Sequence, residues 1–102
     1  MIRINGEDWR ILIVSSNHPS VQRPDGSFTL GCCADDEKTI YIVENLTDHY
    51  FKKVLSHELV HACMYSYNVY LDNYQEELLA DLISTYGQEI VSITNSMFNR
   101  IT

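Results

Sequence analysis

The sequence predicts an α+β fold: a small antiparallel sheet of three or four strands, followed by two packed helices. Three observations carry that expectation. Short apolar stretches broken by turn dipeptides fill the first forty-odd residues. From Thr47 onward the hydrophobic period changes to a helical one. The chain has 102 residues, 45% of them hydrophobic and seven of them tyrosine, enough for one core and too few for two. A single domain spanning residues 1–102 is therefore expected.

Each element follows in order. Ile2 to Ile4 and Trp9 to Val14 flank Asn5-Gly6, two residues that tolerate positive φ, and read as a β-hairpin. Ser15 to Ser27 holds Pro19, Pro24 and Asp25-Gly26 and reads as a surface loop. Phe28 to Cys33 and Thr39 to Val43 flank an acidic turn and form a second hairpin. Thr47 or Asp48 can cap a helix in which Phe51, Val54, Leu55, Leu59 and Ala62 recur at helical spacing, with Asn68 as its stop. A second helix is expected from near Gln75. Its apolar stripe of Leu79, Leu82, Ile83, Tyr86, Ile90, Ile93 and Met97 predicts that it packs, with its partner, on the sheet. Gly87 weakens it by roughly 1 kcal/mol relative to alanine.

Charge and cysteine usage narrow the function classes. A net charge of −7 repels phosphate backbones and anionic membrane surfaces, so neither nucleic acid nor a membrane is expected as a direct partner. The N-terminus lacks the basic, apolar and small-residue pattern of a secretory signal, and no apolar run approaches the roughly 20 residues of a membrane span. A cytoplasmic protein with reduced thiols is expected. Cys63 and the Cys32-Cys33 pair read as core residues, since they lack the spacing of a metal or redox pair.

The chemistry concentrates in Ser56-His-Glu-Leu-Val-His-Ala62. On a helix His57 and His61 point the same way, so both imidazoles can bind one metal ion, and Glu58 can reach a water held there as a general base. The bland alternative is a helix with one histidine exposed and one buried. Two histidines do not hold zinc firmly, so the reading demands a third ligand. The second helix opens with Glu76-Glu-Leu-Leu-Ala-Asp81, and either Glu76 or Glu77 can face the histidines. Glu77 is favoured because Asp81 lies one turn further on the same face, where it can accept the free N–H of a ligating histidine.

Together, His57-Glu58-Leu-Val-His61 and Glu77-Leu-Leu-Ala-Asp81 resemble the gluzincin class of zinc metallopeptidases, and most of all the small phage- and prophage-associated ImmA/IrrE-type peptidases. The resemblance implies a minimal zincin-like core. It also implies one zinc ion held by His57, His61 and Glu77, Glu58 as general base and Asp81 as partner of His57. Gluzincins with a second lobe often draw from it a group that stabilises the oxyanion. This chain has no room for that lobe, which leaves the role to a tyrosine, Tyr70 or Tyr74. In zincin folds the sheet edge beside the metal commonly holds the substrate backbone, a part that Thr39 to Val43 would take here. The expected function is hydrolysis of a peptide bond in a narrow protein or peptide substrate, within a phage or mobile-element context. The alternative is a catalytically silent, metal-stabilised module acting by protein contact. A nucleic-acid hydrolase is disfavoured by the charge.

Overall fold

The computed structural model describes all 102 residues. Four strands, β1 (Ile2–Ile4), β2 (Glu7–Val14), β3 (Gly31–Ala34) and β4 (Thr39–Val43), precede two helices, α1 (Asp48–Ser66) and α2 (Asn73–Ile101). The α+β class holds. β1 and β2 form the expected hairpin, with Asn5 at φ 47° and Gly6 at φ 79° supplying the two left-handed turn residues. β3 and β4 form the second hairpin, turning at Lys38 with φ 49°.

The sheet order is β1-β2-β4-β3, and β2 pairs with β4 in parallel, Ile11 opposite Ile40 and Ile13 opposite Ile42. The sheet is therefore mixed where a wholly antiparallel one was expected. The reason lies in the long connection from Ser15 to Leu30. It carries the chain across to the far edge, so β4 returns beside β2 with β3 outside it. The connection is anchored. A short 3-10 turn at Pro19–Val21 buries Val21 completely against Tyr41 and Val43.

This order corrects the expectation for Thr39 to Val43. All five residues of β4 are buried and paired on both sides, so β4 has no free edge. The open edge on that side is β3.

Thr47 caps α1, its hydroxyl accepting the Tyr50 amide at 3.3 Å. At the other end Asn68 adopts φ 56°, and the amides of Asn68 and Val69 donate to the carbonyls of Tyr65 and Met64, a Schellman closure. Asp72 caps α2 through the Gln75 amide at 2.8 Å, two residues ahead of the expected start. α1 packs on β3 and β4, with Ala62 wholly buried against Trp9, Ile40 and Ile42. The Trp9 indole donates to the Ser66 hydroxyl at 2.8 Å, and Asn5 donates to the Ser66 carbonyl at 2.9 Å, fixing the first hairpin to the end of α1.

α2 packs on α1, not on the sheet, and Ala80 is its one buried residue. Leu82, Ile83, Tyr86, Ile90, Ile93 and Met97, expected to face the core, are exposed. Cys63 is exposed as well, because its side of α1 faces neither the sheet nor α2. No helix is long and apolar enough to cross a membrane.

Candidate metal centre

α1 presents His57, Glu58 and His61, and the first turns of α2 bring Glu76, Glu77 and Asp81 against them. The two histidines turn their Nε2 atoms toward each other at 3.3 Å. Glu77 lies across both, Oε2 at 3.1 Å from His57 Nε2 and Oε1 at 3.1 Å from His61 Nε2. The outer nitrogens are matched as well. His61 Nδ1 hydrogen-bonds Glu76 Oε1 at 2.5 Å, and His57 Nδ1 stands 3.1 Å from Asp81 Oδ1.

A carboxylate beside Nδ1 accepts the hydrogen bond of an Nδ1–H, and in that tautomer Nε2 offers its lone pair to a metal. The two Nε2 atoms and the Glu77 carboxylate converge on one point, an arrangement suited to a cation. The spacing fits one. A tetrahedral zinc with donors at about 2.0–2.1 Å keeps its ligand atoms about 3.3 Å apart. The ligating atoms of His57, His61 and Glu77 all lie within 4.8 Å of one another, the closest approaches being those given above. Two nitrogens and one oxygen, with a position open to water, is a donor set of the catalytic kind.

Glu58 is 7% exposed, and its Oε2 is buried without a hydrogen-bond partner. Burial pushes its carboxyl above the ordinary range, and the imidazoles of His61 and His57 pull it part of the way back. The opposing wall is β3. A side chain at Gly31 would place its Cβ 2.6 Å from Val54 Cγ1 and 3.1 Å from Glu58 Cγ, so only glycine lets the strand lie this close to α1.

Two cavities meet at Glu58, Thr29 and Gly31. One, of about 260 Å³, is lined by Arg23, Leu30, Tyr50, Lys53 and His57 among others. The other, of about 270 Å³, is lined by Cys32, Cys33, His61, Tyr65, Glu76 and Glu77 among others. They form a groove along β3, basic at one end and acidic at the other.

The structure brings together His57, Glu58, His61, Glu77 and Asp81 and leaves Tyr70 apart. Tyr70 is 84% exposed and its hydroxyl donates to Asn68 at 3.3 Å, while Tyr74 is also exposed. Neither lines the groove. Two tyrosines do: Tyr50 in the cavity at the basic end, and Tyr65 in the cavity beside His61, one helical turn beyond it, its ring stacked on Trp9 with centroids 6.5 Å apart. Burial, with Glu76 nearby, raises the Tyr65 phenol above the usual tyrosine range, so it stays a proton donor. Its spacing of four from His61 is the signal in the sequence that marks it. Gly31, whose role depends on a contact with a distant helix, carries no such signal.

Compared with protein-family models, curated proteins and solved structures, the chain matches none. What the site can do follows from its own make-up: a compact, zincin-like cluster of His57, His61 and Glu77, with Asp81 against His57 Nδ1, in the pattern of a gluzincin H-E-x-x-H and E-x-x-x-D centre.

Proposed function

We infer that the chain is a single minimal zinc metallopeptidase domain, residues 1–102, with one ion held by His57, His61 and Glu77. The observation that carries this reading is the convergence of three lone-pair donors beside a buried carboxylate whose second oxygen has no partner. Zinc bound there supplies a Lewis acid for the scissile carbonyl and lowers the pKa of water from 15.7 to roughly 7.

The chain's own residues do the rest. Glu58 Oε2 takes the proton of the attacking water and returns it to the leaving amine. Asp81 and Glu76 hold the two imidazoles in the tautomer that directs Nε2 inward. The Tyr65 phenol donates toward the carbonyl oxygen as it gains charge, the role expected of Tyr70 or Tyr74. The substrate backbone lies in the groove as a strand added to the open edge of β3. A groove of this kind suits a narrow peptide or protein substrate, and the motif's likeness to small phage-associated peptidases supports a regulatory protein in that place.

The alternative, a metal-stabilised module that acts by contact, leaves Glu58 without a task. A structural site also closes its fourth position with protein. A zinc-edge X-ray absorption spectrum tests the centre: about four nitrogen and oxygen neighbours are expected, and a shell containing sulfur overturns the ligand set. Cleavage of a random-sequence peptide mixture by the zinc-loaded chain, absent from its Glu58→Gln variant, tests the activity.

A further inference from the structure

α2 is 29 residues long, yet one of its residues is buried. Its first half rests on α1 through Ala80, with Leu79 partly buried beside it against Val60 and Met64. Beside that contact, and beyond it toward the C-terminus, runs a stripe that the chain does not cover. Ile83, Tyr86, Ile90, Ile93 and Met97 are 41% to 56% exposed.

The spacing of these residues identifies the occupant. The steps from Ile83 through Met97 alternate three and four, the seam of a left-handed coiled coil, with isoleucine at two of the three a positions. A repeat of about 3.5 residues keeps one seam turned toward another helix along its length. Leu82, Val91 and Phe98 are exposed beside it, so the apolar surface is wider than the seam alone.

The charges favour a second copy. Residues 82–102 contain one acidic side chain, Glu89, and one basic one, Arg100, so two copies meet here without the repulsion that a net charge of −7 imposes elsewhere. A membrane surface would need a polar face rich in lysine and arginine, which α2 lacks. The area suffices. Five large side chains left about half exposed present roughly 100 Å² each, so a symmetric pair buries about 1,000 Å², the size that a specific interface should reach.

We propose that the chain is a homodimer in which the two α2 stripes pack against each other as a short coiled coil. The same helix carries Glu77 and Asp81 at its N-terminal end, so dimerisation stiffens the element that completes the metal centre.

Sedimentation equilibrium on the full zinc-loaded chain tests this. The mass of a dimer is expected. Ile90→Glu with Ile93→Glu should raise the dissociation constant at least about a hundredfold, because buried like charges cost several kcal/mol. Ser92→Glu, on the opposite face of α2, should leave the dimer intact. The lone tryptophan, Trp9, reports folding in each case through its buried emission. A wild-type monomer at high micromolar concentration overturns the proposal, as does a double variant that is folded and still dimeric. Binding of the monomer to anionic vesicles, with no self-association, overturns it too.

Discussion

Glu58 carries two opposed demands. The proposed hydrolysis requires a carboxylate with a free oxygen, whereas burial in the wall of the groove favours the neutral acid. In the metal-free chain the folded state therefore holds the Glu58 proton more tightly than the unfolded state does. The Glu58 contribution to stability is then fully present below the ordinary glutamate range and is lost as pH rises from that range to the raised folded value, since the unfolded chain releases the proton first. Glu58→Gln should abolish peptide cleavage with zinc still bound, and should flatten this pH dependence in thermal melts recorded with a chelator. A variant that cleaves peptides, or melts that keep the slope, would refute the assigned role or its electrostatic cause. The histidine partners differ in strength. The Glu76 contact is short with the carboxylate 17% exposed, whereas that of Asp81 is longer with the carboxylate 68% exposed and more screened by solvent. Asp81→Asn should weaken zinc binding about tenfold and Glu76→Gln nearer a hundredfold, the span typical of such partners. Competition with a chromophoric chelator measures both, and equal affinity to wild type would show that the carboxylates do not orient the imidazoles.

Among the elements, β3 and α1 depend on one glycine. A methyl at Gly31 meets Val54 and Glu58, so Gly31→Ala should force the strand off the helix, cost about 1–3 kcal/mol in urea unfolding followed by Trp9 fluorescence, and lower cleavage by more than the loss of folded protein explains. Unchanged stability would show that the strand has slack there. Local features of these elements were legible in the sequence because their physics is local: the Asn5-Gly6 turn, the Thr47 cap, the Asn68 stop and the histidines one turn apart. The facing of α2 on α1 was legible too, since chemistry demanded a third ligand. What was not legible depends on distant partners. The parallel pairing of β2 with β4 is set by where the Ser15 to Leu30 connection crosses, and the buried Val21 within it looks like any loop residue until Tyr41 and Val43 surround it. Cys63 and the α2 stripe looked like core for the same reason: periodicity reports which residues share a face, and not what that face meets.

At the scale of the molecule, the sheet with α1 and the helix α2 are held together by different forces. The sheet and α1 share Trp9, Ile40, Ile42 and Ala62, all fully buried. α2 contributes Ala80, with Leu79 partly buried, against Val60 and Met64, and its other approach to α1 is the metal centre. Without a cation, Glu76, Glu77 and Asp81 crowd three carboxylates around two imidazoles, and the charge that α2 brings is poorly compensated. Metal binding should therefore do more than stabilise the chain as a whole, by about 4 kcal/mol at a thousandfold excess over the dissociation constant. It should fasten α2 in particular. On chelation, amide hydrogen exchange is expected to accelerate across residues 73–88 of α2 while β2, β4 and the middle of α1 keep their protection and Trp9 stays buried. Uniform loss of protection would mean that the two parts unfold as one, and unchanged exchange in α2 would mean that its packing on α1 stands without the ion. The selective outcome would give the bound ion a structural part beside its proposed chemical one, as the tie between α2 and α1 across the site.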